Sequence, residues 1–88
     1  MRVITELEKT ILIAFAVVDR GRDDFIDEEE IVSRFSRRQR KMVERFVAKL
    51  ATDRFLEKKY HTYRLSDSGK KIVARLLSEG ASLWMPKK

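Results

Sequence analysis

Apolar residues recur along this chain at helical spacing in four stretches and shorten to strand-like runs in one, and this pattern predicts the elements before any chemistry is considered. Leu7, Ile11, Leu12, Ala14, Phe15 and Val18 fall on one face of a helix. Thr5 followed by Glu8 supplies a capping box, so a first helix is predicted from Thr5 to Val18. Ile13, Ala16 and Val17 add apolar surface on its remaining side, more than a single-sided helix needs. A second surface is expected to cover them, either the C-terminal tail or another subunit.

Asp19 to Asp24 reads as a loop around Gly21, and Phe25-Ile26 as a brief extended piece. Asp27 then stands as the cap of a second helix, with Glu30 at its third position and Ile31, Val32 and Phe35 facing inward. Glu28, Glu29 and Glu30 in that first turn suit the positive end of the helix dipole. Ser36 and Gln39 form another capping box almost at once, which makes the link to the third helix a very tight turn. The third helix extends to Ala51. At about 100° per residue, Val43, Phe46, Val47 and Leu50 gather on one side and turn Arg37, Arg38, Lys41, Arg45, Ala48 and Lys49 toward the other.

After Asp53 the pattern changes to two short runs, Phe55 to Tyr60 and Tyr63 to Leu65, which predict two strands joined by a tight turn at His61-Thr62. Ser66 or Asp67 caps a fourth helix with Ile72, Val73, Leu76 and Leu77 on one face, and Gly80 ends it. The expected organisation is one domain over residues 1–80 and a tail over residues 81–88, whose Leu83, Trp84 and Met85 are expected to dock on helix 1 or on a second subunit. The predicted fold class is α+β, mainly helical with a small β-hairpin.

Composition narrows the function classes. A chain of 88 residues without cysteine offers neither a disulfide framework nor a thiolate metal site, and His61 is its only histidine. No metal and no cofactor is expected. The longest apolar run, Ile11 to Val18, has eight residues, against the roughly 20 that span a bilayer; no signal-peptide pattern precedes it, and a cytoplasmic setting is expected. The absence of asparagine and the single glutamine, Gln39, together with abundant charge, point toward a thermophilic source. There is no glycine-rich phosphate loop and no nucleophile motif, so an enzyme is not expected.

Charge adds a direction. The formal net charge is +6, but Met1 to Ser33 holds four basic and nine acidic residues, whereas Arg34 to Arg64 holds eleven basic and three acidic. Such segregation favours a polyanionic partner for the middle third, because each phosphate contacted releases condensed counterions. Arg37, Arg38, Arg40 and Lys41 also crowd the start of the third helix, where the dipole alone prefers acids.

The succession of short helix, basic helix, hairpin and capped helix resembles the winged helix-turn-helix regulators of the MarR and PadR types. Tyr63-Arg64-Leu65-Ser66-Asp67-Ser68-Gly69-Lys70 is similar to their second wing strand running into the next helix. Phe25-Ile26 resembles the strand that pairs with the wing, and Arg37 to Lys49 the recognition helix. The resemblance implies double-stranded DNA as partner and a role in transcriptional regulation, with the third helix in a major groove and Lys58, Lys59, His61 and Arg64 near the flanking backbone. Among these residues, Arg38, Gln39 and Lys41 are the candidates for base reading, since arginine or lysine suits guanine and glutamine suits adenine. Arg45, Lys49, Lys58, Lys59 and Arg64 are the candidates for phosphate. The chain departs from the pattern at Arg54-Phe55, where glycine and an aliphatic residue are common, and its wing is short. It also leaves no length for a separate effector domain, so a small-molecule effector is not expected.

Two other readings compete. Winged-helix domains also serve as assembly modules, in which case Ile13, Ala16, Val17, Leu83, Trp84 and Met85 form the main interface; the same residues could join a homodimer that sets two basic helices on successive half-sites. The stretch from Asp19 to Glu30 also matches part of an EF-hand calcium loop, with Asp19, Asp23, Asp27 and Glu30 at ligand positions and Ile26 at the apolar eighth. Against it, Gly21 replaces a ligand and Asp24 replaces the glycine of the sharp turn.

Overall fold

In the computed structural model, which describes residues 3–19, 22 and 24–79, helix α1 spans Glu6–Asp19. It begins where the capping box was expected. The Thr5 N–H and hydroxyl both donate to Glu8 Oε1 at 3.0 Å, and the Glu8 N–H donates to Thr5 Oγ1 at 3.2 Å. Glu8 is fully buried. Such a carboxylate is tolerated in the interior because hydrogen bonds replace the water it loses.

A short strand β1 (Ile26–Asp27) leads directly into α2 (Glu28–Val32). Asp27 occupies the cap position, yet its side chain makes no capping hydrogen bond. The start of α2 is held by the sheet instead: Ile26 and Asp27 pair with Tyr63 and Thr62, and the Glu28 N–H donates to the His61 carbonyl at 3.1 Å. The third helix opens with a single 3₁₀ turn, Arg37–Gln39, before α3 proper (Arg40–Thr52). The expected capping box at Ser36 does not close. Ser36 Oγ donates to the Gln39 side-chain oxygen at 3.2 Å, and the Gln39 N–H bonds back to the Ser36 carbonyl at 2.9 Å, a three-residue bond that tightens the turn.

Strands β2 (Leu56–Lys59) and β3 (Thr62–Leu65) form the hairpin, whose turn is Tyr60-His61, one residue earlier than expected. With β1 they make an antiparallel sheet in the order β1-β3-β2. Register places Ile26 opposite Tyr63 and Leu56 opposite Leu65, so one face of the sheet is apolar and buried. Helix α4 (Asp67–Ser78) follows, and Ser66, not Asp67, is its cap, accepting from the Gly69 N–H at 3.1 Å. The order α1-β1-α2-α3-β2-β3-α4 and the small antiparallel sheet make a mainly helical α+β fold, compatible with the winged-helix type.

One core joins these elements. Ile11, Leu12 and Phe15 of α1 pack with Ile31 and Val32 of α2, with Val43, Val47 and Leu50 of α3, and with the buried sheet face and Val73. Each such side chain contributes about 1.5–3 kcal/mol by leaving water. Ile13, on the side of α1 expected to be covered by the tail or another subunit, is 3% exposed and packs with Leu76 and Ile72, so α4 is the surface that covers it. Ala16 is half-buried, whereas Val17 is exposed. Leu77 was expected inward, but α4 turns it to solvent, 52% exposed. Gly80 and the tail residues Leu83, Trp84 and Met85 lie outside the described residues.

The end of α3 and the start of α4 meet at one corner. Arg54 follows α3 in left-handed backbone (φ 67°), its N–H bonds to the Ala51 carbonyl at 3.1 Å, and the Phe55 N–H reaches the Leu50 carbonyl at 2.9 Å. This is a Schellman motif, normally closed by glycine. From α4, the Ser66 N–H donates to the Phe55 carbonyl at 3.1 Å and Ser66 Oγ donates to the Arg54 carbonyl at 2.6 Å. Gly69 lies so close that a β-carbon there would sit 2.2 Å from the Phe55 carbonyl oxygen.

Glycine is thus needed at 69 for space and would be welcome at 54 for conformation. Urea unfolding is expected to show Gly69→Ala losing about 1–3 kcal/mol through overpacking and Arg54→Gly gaining about 1 kcal/mol through relief of left-handed strain. Changes of the same sign in both variants would contradict this account of the corner.

Candidate nucleic-acid interface

Burial of Val43, Val47 and Leu50 fixes the rotation of α3 about its own axis. Arg37, Arg38, Gln39, Arg40, Lys41, Arg45 and Lys49 are all exposed. At about 100° per residue, Arg38, Lys41, Arg45 and Lys49 lie within one outward sector, along a helix about 20 Å long. None of the seven residues makes a salt bridge among the described residues.

The other helices mark this arrangement as a departure. Acids occupy the first turns of α1 (Glu6, Glu8), α2 (Glu28, Glu29, Glu30) and α4 (Asp67), as the dipole prefers. The 3₁₀ turn and the first turn of α3 contain none, and carry Arg37, Arg38, Arg40 and Lys41 instead. The result is a concentrated positive surface with an apolar back. It is suited to an anionic ligand at least as long as the helix.

Not every expected member of the site is equally available. Gln39 is exposed, but its side-chain oxygen already accepts from Ser36 Oγ, and bidentate reading of adenine needs both ends of that amide. Arg64 is half-buried on the outer face of the sheet, where its Nε donates to Glu57 Oε1 at 2.8 Å and its guanidinium lies 4.5 Å from the centre of the Phe25 ring. Glu57 and Arg64 are directly opposite in the β2-β3 register. Arg64 therefore braces the hairpin against the segment entering β1 and is not poised as a phosphate contact.

Lys58 and Lys59 are exposed on β2, with ammonium groups 5.8 Å from the Tyr63 ring centre and 5.7 Å from that of Phe25. His61 is exposed at the turn while its carbonyl is fixed by Glu28. The sequence pattern passes over two exposed residues. Met42 sits on α3 beside the basic sector, and Tyr60, read from sequence as a strand residue, occupies the hairpin turn with φ 57° and 83% exposure. A signal for Tyr60 was present, since a two-residue turn without Asn-Gly obliges some other residue to take positive φ.

The loop that resembled a calcium site is organised by its own polar groups. Asp19 Oδ1 accepts from the Asp24 N–H at 2.8 Å, and the Asp19 carbonyl accepts from the Arg22 N–H at 3.1 Å. Arg20, Gly21 and Asp23 lie outside the described residues, and among the described residues no group of three or more potential metal ligands comes together. Likewise, among those residues no helix is long and apolar enough to cross a membrane.

Comparison with protein-family models, with curated proteins and with solved structures finds no match to this chain.

The bracing role of Arg64 has a measurable signature. A double-mutant cycle on Glu57→Ala and Arg64→Ala is expected to give a coupling of less than about 1 kcal/mol, weakened by salt because both groups are partly solvated. Arg64→Ala is expected to cost more than Glu57→Ala, because it also removes the contact with Phe25. Equal single-variant losses would place the stabilisation in the ion pair alone.

Proposed function

We propose that this chain binds double-stranded DNA through α3 and its leading 3₁₀ turn, and that it acts as a transcriptional regulator of the winged-helix type, on the pattern of the MarR and PadR regulators it resembles. The observation that carries this reading is the unpaired cationic sector of α3, backed by the buried Val43, Val47 and Leu50. A helix that presents Arg38, Lys41, Arg45 and Lys49 outward can enter a major groove with its basic face against base edges and phosphates. Arg38 and Lys41 are assigned to guanine edges, while Arg45 and Lys49, with Arg37, Arg40, Lys58 and Lys59, are assigned to phosphate. Arg64 leaves the phosphate group because Glu57 and Phe25 engage it, and Gln39 as a base reader would share its side-chain oxygen with Ser36.

A homodimer fits the same reading, and a specific surface favours it. Leu77 is exposed and lines a groove of about 390 Å³ together with Ala16, Leu65, Val73 and Ala74, with Asp19 and Lys70 at its polar side. Joining two copies there would set two basic helices on successive half-sites. If DNA binding fails, this surface becomes the principal interface of an assembly module.

Duplex affinity measured across a salt series tests the DNA reading. The native chain is expected to lose affinity steeply with salt, and Arg45→Ala with Lys49→Ala to flatten the log–log slope by about 2. Arg38→Ala with Lys41→Ala is expected to weaken preferred sequences by at least about tenfold and to narrow the gap to random duplex. Affinity that ignores salt and both double changes would sink the proposal.

The dimer is checked separately by sedimentation. The native chain is expected to sediment as a dimer and Leu77→Glu as a folded monomer, since the substitution puts a charge into an apolar contact. A native chain that stays monomeric at high micromolar concentration would reject the dimer without touching DNA binding.

A further inference from the structure

Among the described residues two non-glycines hold left-handed backbone, Arg54 at φ 67° and Tyr60 at φ 57°. Strain of this kind persists only where the surroundings enforce it, and it gathers at functional positions. At Arg54 the enforcement is structural, through the two hydrogen bonds that close α3 and the Ser66 hydroxyl on its carbonyl. Tyr60 has no such return. Its side chain makes no hydrogen bond or ring contact among the described residues and is 83% exposed. Glycine or asparagine closes a two-residue hairpin with less strain.

The turn around Tyr60 is nonetheless braced on both sides. Thr62 Oγ1 donates to the Lys59 carbonyl at 2.6 Å, and the His61 carbonyl accepts from the Glu28 N–H at 3.1 Å, tying the tip to the start of α2. A large ring is therefore displayed on a fixed backbone, next in the chain to Lys58 and Lys59 and on the hairpin that packs beside α3. An aromatic ring offers much contact area for few rotatable bonds, with an apolar face and a wet tip.

We propose that Tyr60 is the wing's contact with the duplex, its ring face packing on a deoxyribose of the backbone that flanks the groove occupied by α3. The contact is neutral and indifferent to sequence, in contrast to the phosphate contact of neighbouring Lys59. It rests on the DNA reading above and adds a residue that charge reasoning passes over. Because no counterion is displaced by a ring, its loss alters affinity without altering salt dependence.

The test uses the whole chain and a random-sequence duplex, with affinity followed by fluorescence anisotropy across a salt series for the native protein, Tyr60→Gly, Tyr60→Phe and Lys59→Ala. Tyr60→Gly is expected to raise the thermal midpoint by roughly 4 °C, through relief of strain, while weakening binding about tenfold at an unchanged salt slope. Tyr60→Phe keeps native affinity, and Lys59→Ala flattens the slope by about 1. If the native chain binds and Tyr60→Gly binds equally well, the assignment of Tyr60 fails and the DNA reading stands. If Tyr60→Phe falls as far as Tyr60→Gly, the contact belongs to the hydroxyl and the ring-packing proposal is overturned. If the native chain shows no salt-dependent duplex binding, both readings fall together.

Discussion

The corner where Arg54-Phe55 meets Ser66 and Gly69 governs the relation of α3 to everything after it. Phe55 uses its N–H to close α3 on Leu50 and its carbonyl to receive the Ser66 N–H, so a single peptide stretch belongs at once to a helix end, a strand start and a helix start. Gly69 must be bare for that approach to occur, since a β-carbon would collide with the Phe55 carbonyl. Ser66 completes the junction with a hydroxyl that donates to Arg54 and accepts from Gly69. Burial of Val43, Val47 and Leu50 fixes the rotation of α3, but the corner fixes where it stops and how the wing leaves it. Both are needed before a basic face points in a defined direction.

That face is electrostatically costly in isolation. Arg37, Arg38, Arg40 and Lys41 repel one another and meet the positive end of a helix whose sister helices α1, α2 and α4 begin with acids. The outer face of the sheet handles charge differently, pairing Arg64 with Glu57 over the Phe25 ring. The Arg64 charge is therefore paired where it braces the hairpin, whereas the cations of α3 make no salt bridge among the described residues. A polyanion would relieve the repulsion on α3 at the same contacts that hold it, which is the physical content of the proposed DNA role.

Much of this was legible in the sequence because it followed from periodicity. The spacing of Leu7 to Val18, and of Val43 to Leu50, placed two helices and the inner side of each, and the Thr5–Glu8 cap formed as the pattern required. Readings failed where tertiary contacts overrode a local signal. Asp27 has the chemistry of a cap, but β1 pairing with β3 holds the start of α2. Ser36 and Gln39 have the spacing of a capping box, but a 3₁₀ turn turns the serine onto the glutamine side chain. Ile13 was rightly expected to be covered, but by the tail or a second subunit, because helical spacing does not reveal that α4 folds back over α1. In the candidate site the cations were plain in the sequence, whereas the removal of Arg64 depended on register across β2 and β3, which no local pattern specifies.

The withdrawal of Arg64 redistributes the work within the proposed interface. With Arg64 holding Phe25 and Glu57, the wing keeps Lys58, Lys59 and its tip for contact, and the strands behind the tip are only four residues each. A hairpin of that length spans about 13 Å and cannot follow a groove far. In the proposed DNA complex, sequence discrimination would be concentrated in α3, where Arg38 and Lys41 stand at the outward start of the helix. In that proposal the wing would supply orientation, because its tip is tied by His61 to the same α2 that packs on α3. A contact at the tip then limits rocking of α3 about its own length without reading a base, and phosphate and sugar contacts serve that positioning purpose in protein–DNA interfaces generally.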